Sequence, residues 1–179
     1  KVARMFGAPP QILPGITDPT GELSFLQRRA IRRGIARLET RFPQVRVPVF
    51  IAGGLDPKTS LNTYTFWLFN NANVCPNLEK GGLNHTVLLV VDAANARACL
   101  TVGYGLESFL DESHLAAILE SSRSDFAEKS TGAAVRAILA SLHAVLRAVH
   151  RHLERPPTAP PPGTLSPRPQ ENASVVSIY

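Results

Sequence analysis

The run Thr86-Val87-Leu88-Leu89-Val90-Val91 constrains this chain more than any other segment. Leucine and β-branched side chains in so short a run read as a β-strand. Asp92-Ala93-Ala94-Asn95 can turn the chain back into residues 97–102, which predicts an antiparallel hairpin. A second β-branched run, residues 45–52, stops at Gly53-Gly54. Helical patterns stand on both sides of it in sequence, so burial on both of its faces is expected.

Those helical patterns are periodic. Ser24 is a candidate N-cap, followed by Leu26, Ile31, Ile35, Leu38 and Phe42 on one stripe, with Pro43 closing the helix. A second helix is expected from Leu61 to about Asn71, carrying Tyr64, Trp67 and Leu68, and residues 70–84 read as loop. Asp111 or Ser113 can cap a helix through Leu115, Ile118 and Leu119, and a short helix is expected over residues 124–129. In the last helix, from about Thr131 to His152, Val135, Ile138, Leu142, Val145 and Val149 form one continuous apolar stripe. Strands and helices together define an α/β domain.

Composition sets the limits of that domain. The 179 residues allow one core with an appendage. Residues 1–15 read as an extended lead-in, residues 16–154 as the α/β domain, and residues 155–179 as a proline-rich tail that is extended or disordered. Val175-Val176-Ser177-Ile178-Tyr179, at the end of that tail, are apolar enough to dock as an added strand. The charge of +5 is spread thinly and no basic run is interleaved with aromatics, so nucleic acid is not an expected partner. Nothing near Lys1 forms a signal-peptide core, and no stretch reads as long and apolar enough to cross a bilayer.

Chemistry is concentrated after the hairpin. Val102-Gly103-Tyr104-Gly105-Leu106-Glu107 places two glycines around a tyrosine, which permits close approach of a ligand or of a neighbouring chain segment. Glu107 and Asp111 follow at the same end of the sheet. Asp111 has a second reading as a helix cap, and Glu107 one as a solvated carboxylate. His85, beside the main strand, is a possible site-lining residue, although a lone histidine there is more often structural. His114 belongs to a helix N-terminal turn, and no Gly-x-Ser-x-Gly setting surrounds Ser108. Arg28, Arg32 and Arg29, Arg33, Arg37, Arg41 make two i, i+4 rows on the first helix. They fit a solvated helix face, with anionic lipid, an acidic protein or RNA as alternatives. Cys75 and Cys99 can form one disulfide or stay two separate thiols.

The ordered set Ile16-Thr17-Asp18-Pro19-Thr20-Gly21-Glu22-Leu23-Ser24, Val87-Leu88-Leu89-Val90-Val91 and Val102-Gly103-Tyr104-Gly105-Leu106-Glu107 resembles the TPM-domain family. That family includes thylakoid-lumen acid-phosphatase-like proteins, photosystem-repair factors and a receptor modulator. The resemblance implies a three-layer α/β/α sandwich with a small central mixed β-sheet flanked by helices. It also implies an extracytoplasmic location tied to a membrane. The chain departs from the family at Leu83-Asn84-His85-Thr86, where members carry Asn-Asn-Gly.

By the same resemblance, the Asp18 turn packs near Glu107 and Asp111. Three carboxylates with carbonyl oxygens suit calcium, a hard cation that takes oxygen ligands. Asp18 has the alternative role of organising its own turn. The resulting expectation is an extracytoplasmic, calcium-binding, non-catalytic interaction module that acts with a protein partner in a membrane-associated complex. The alternative is a metal-dependent, acid-phosphatase-like hydrolase using the same carboxylates.

Overall fold

The hairpin expected from residues 86–102 forms the middle of the sheet. The structure, a computed structural model, describes residues 6–74, 84–153 and 174–178. In chain order the elements are β1 (Ile16–Thr17), α1 (Phe25–Arg41), β2 (Val49–Ala52), α2 (Leu61–Asn71), β3 (Val87–Asp92), β4 (Arg97–Val102), α3 (Glu112–Glu120), α4 (Arg123–Ala127), α5 (Thr131–Leu153) and β5 (Ser174–Ile178). The strands lie in the order β1-β2-β3-β4-β5. β1, β2 and β3 run parallel, and β4 and β5 continue antiparallel. The backbone of β5 pairs from Ser174 opposite Val102 to Ile178 opposite Ala98. The boundary near Glu154, the proline-rich segment to residue 173 and Cys75 lie outside the described residues.

Side-chain alternation along each strand divides the core in two. Val49, Ile51, Val87, Leu89, Val91, Ala98, Leu100 and Val102 face a layer built by α1, α3, α4 and α5. Phe50, Ala52, Leu88, Val90 and Cys99 face Leu61, Tyr64, Trp67 and Leu68 of α2. β2, β3 and β4 are thus covered on both faces, and the expected three-layer α/β/α sandwich with a mixed sheet is present. The β2 run is shorter than its sequence pattern, because Pro48 has no N–H to give to a neighbouring strand. Its carbonyl still accepts from Leu89 N at 3.1 Å.

Local signals place the helices. Ser24 caps α1 in a reciprocal box: its hydroxyl accepts from Gln27 N at 3.3 Å, and the Gln27 side chain accepts from Ser24 N at 2.8 Å. Of the stripe expected on α1, Ile31, Ile35 and Leu38 are buried, but Leu26 is 72% exposed together with Phe25 at 73%. Among the described residues one segment, Thr131–His150 of α5, is long and apolar enough to cross a membrane, with mean hydropathy 1.4, which corrects the sequence reading. Here its stripe is spent on the core: Val135, Ile138 and Leu142 are fully buried against the sheet layer. Cys99 is a free thiol buried under α2, and burial pushes it up to about 12.

Truncating Leu100, fully buried in the larger core, should lower unfolding free energy by about 2–5 kcal/mol. Ser24→Ala should cost about 1 kcal/mol through the cap alone. Urea unfolding midpoints measure both, and equal losses would contradict this division between core and cap.

Candidate functional site

Sheet polarity decides which predicted site residues can meet. β1, β2 and β3 run the same way, so the Asp18 turn, Gly53 and Asp92 all sit at their carboxyl ends. β4 runs back and delivers Gly103 to the opposite end, beside Thr86. The constellation of Asp18 with Glu107 and Asp111 is therefore divided between two ends of the sheet. β4 returns through a local hairpin, and it is the long-range parallel pairing of β1 and β2 with β3 that leaves Asp18 at the other end. No group of three or more His, Cys, Asp or Glu side chains able to share an ion occurs among the described residues.

The structure does bring together the other predicted site-lining residues. Gly103 N donates to Thr86 O and Gly105 N to Asn84 O, both at 2.8 Å. A Cβ on Gly103 would lie 2.5 Å from the Asn84 carbonyl oxygen, and one on Gly105 would lie 2.9 Å from the His85 ring. Neither glycine has a positive φ, so the need is for room rather than for an unusual dihedral. The glycines thus admit the neighbouring chain segment. Tyr104 between them is 60% exposed, and Glu107 is half-buried.

Asp111 is the N-cap of α3. Its Oδ1 accepts from His114 N at 2.9 Å, from the Ser113 hydroxyl at 2.7 Å, and lies 2.8 Å from His114 Nδ1. The Ser113 hydroxyl, helped by the His114 backbone N–H, holds the Asp111 carboxyl down to about 2. Ser113 and His114 thus both address the Asp111 carboxylate rather than each other.

At the other end, Asp18 accepts from Glu22 N and Leu23 N at 3.0 Å each and lies 3.4 Å from Arg28 Nε. Its buried carboxylate organises the expected turn, in which Gly21 takes φ +73°. Asp92, read in the sequence as a turn residue, is fully buried. It accepts from Arg97 Nη2 at 2.7 Å and Nε at 2.9 Å, and from Asn95 Nδ2 at 2.8 Å. Arg97 and Asn95 then donate to the carbonyls of Thr59 and Leu55, tying the hairpin turn to the segment before α2. The signal for this lock was an aspartate closing an apolar strand with an arginine opening the next.

The profile described as the TPM domain matches residues 16–145. No curated protein matches the chain significantly. Among solved structures, the N-terminal domain of a protein from P. gingivalis is similar at TM-score 0.65 and 18% identity, covering 87% of this chain and 93% of that one. The N-terminal domain of the cg2496 protein from Corynebacterium glutamicum follows at TM-score 0.57 and 14% identity, covering 77% and 83%. These likenesses show the fold.

Three outcomes test the site. Gly103→Ala forces the Asn84 backbone to move and should cost about 1–3 kcal/mol, with NMR shifts concentrated at residues 84–86. Arg97→Ala leaves the buried Asp92 charge uncompensated and should cost about 3–5 kcal/mol in thermal or urea unfolding. The Asp111 carboxyl is depressed in the fold, so its cap stabilises α3 above the ordinary value of 3.8 and is lost as pH falls towards about 2. An NMR titration of the His114 amide should show that midpoint; one near 4 would contradict the cap geometry.

Proposed function

This chain belongs to the TPM domain family, and from that premise we propose that it works outside the cytoplasm as a non-catalytic interaction module. Its setting is the assembly or maintenance of a membrane-associated protein complex. The observation that carries this reading is the commitment of its carboxylates to internal bonds. Asp18 holds two backbone amides and Arg28, Asp92 holds Arg97 and Asn95, and Asp111 caps α3. Metal-assisted hydrolysis asks the opposite of such groups: ligand oxygens turned towards an ion and a positioned nucleophile. Exposed Tyr104, by contrast, is a contact residue of the type enriched in protein interfaces.

Calcium belongs to this reading in a narrower form than the sequence suggested. An ion at the Tyr104 end would rest on Glu107 and backbone carbonyls, because Asp18 stands across the sheet and Asp111 is committed to the α3 cap. Calcium has the flexible geometry to accept such a mixed oxygen set.

Two measurements check the proposal. Turnover of a generic phosphomonoester should stay at background with calcium, with magnesium and without either. Turnover that disappears in Asp18→Ala or Glu107→Ala would replace this reading with the hydrolase. In a pull-down from native membranes, the wild-type chain should recover a defined partner that Tyr104→Ser loses, and recovery unchanged by that substitution would remove the Tyr104 surface from the interaction.

A further inference from the structure

A groove of about 340 Å³ lies between α1 and α5 on the outer face of the sandwich. Its floor is made by Ala30, Gly34, Leu139 and Ala140, and its rim by Arg33, Arg37, Arg136 and His143. The two helices are parallel here: Gly132 packs on Gln27, and a Cβ on Gly34 would lie 3.4 Å from Leu139. Small floor residues let the backbones approach and leave the longer cationic side chains standing above them.

The charge of this groove is not balanced from within. α5 contains no carboxylate, and the one in α1, Glu39, accepts from Val47 N at 3.0 Å. Arg33, Arg37 and Arg136 form no ion pair among the described residues. Arg33 and Arg37 are one helical turn apart, a like-charge spacing that destabilises a helix unless an anion lies across it. Every basic residue of α1 is arginine. The guanidinium fork is suited to paired hydrogen bonds with phosphate oxygens.

A second observation favours a surface over a small anion. Leu26 falls on the same helical stripe as Ala30, Arg33 and Arg37, at i, i+4, i+7 and i+11. Leu26 and its neighbour Phe25 are 72% and 73% exposed, although nothing in the fold requires two large apolar side chains in water. A basic stripe ending in exposed aromatic and aliphatic side chains is the pattern of a helix that rests on a membrane interface. Soluble phosphate would use the arginines and leave Phe25 and Leu26 without a role.

We infer that the α1/α5 groove, with Phe25 and Leu26 at its end, is a docking surface for an anionic phospholipid bilayer. Arg33, Arg37 and Arg136 contact headgroup phosphates while Phe25 and Leu26 enter the interfacial layer. This inference rests on the groove and the exposed pair, and stands apart from the proposed role of the Tyr104 end.

Co-sedimentation of the full chain with vesicles tests it. Binding to phosphatidylcholine mixed with phosphatidylglycerol should exceed binding to phosphatidylcholine alone, and should fall as salt rises. The triple variant Arg33→Gln, Arg37→Gln, Arg136→Gln should lose about fivefold per arginine, on the order of a hundredfold together. Lys58→Gln, Arg123→Gln, Lys129→Gln removes the same charge elsewhere and should bind as the wild type does. Phe25→Ser, Leu26→Ser should weaken binding but keep its salt dependence. All these positions are exposed, and circular dichroism serves as the check that each variant is folded. Equal loss in both triple variants would reduce the effect to net charge and overturn the inference. So would undiminished binding by the Phe25/Leu26 variant, or absence of vesicle binding. Binding of inorganic phosphate or polyglutamate without vesicle binding, abolished in the groove variant, would assign the groove to a soluble phosphate or an acidic protein.

Discussion

The burial of β3 on both faces is the constraint from which the rest of this structure follows. Val87 through Val91 have no contact with water. Each such side chain contributes about 1.5–3 kcal/mol when removed from water. That gain is available only if apolar layers exist above and below the sheet. α2 supplies one, and α1, α3, α4 and α5 supply the other. The same burial continues one residue further, to Asp92, where it becomes a cost. A buried carboxylate must be paired, and Arg97 at the start of β4 is positioned by the hairpin to pair with it. The apolar strand and the ion pair at its end thus fix both the hairpin and the segment leading into α2.

Local physics made much of this fold legible in the sequence. The Ser24 cap, the β-branched runs and the α5 stripe each carry their structural consequence within a few residues. So does the Asp18 turn, where a carboxylate meets the amides of Glu22 and Leu23 and Gly21 accepts a left-handed backbone. The departures share a different cause. β2 begins only after Pro48, because the strand pattern counts side chains and the ladder counts N–H donors. Leu26 faces water because, five residues before Ile31, it lies about 140° round α1 from the buried face, on the side of Ala30, Arg33 and Arg37.

The site was less legible than the fold, for a reason of topology. Whether two loops share an end of a sheet depends on the direction of every strand between them. Two parallel pairings and one antiparallel pairing put Asp18 and Tyr104 at opposite ends. No local spacing encodes that count. By contrast, His85, Gly103 and Gly105 meet because one hairpin joins them, and hairpin pairing is fixed by the turn between its strands.

The two glycines show how one sequence signal can hold two meanings until the fold resolves them. Glycine permits close approach, but the approaching group can be a ligand or the chain itself. Here Asn84 and His85 occupy the space that a Cβ would need, so the glycines are satisfied within the domain. Tyr104 is left projecting from a backbone held at 2.8 Å on both sides, by Gly103 to Thr86 and by Gly105 to Asn84. A side chain on so constrained a turn loses little further backbone freedom when it meets a partner. Preorganisation of that kind lowers the entropic cost of association. A contact surface at Tyr104, as proposed, would use that property directly.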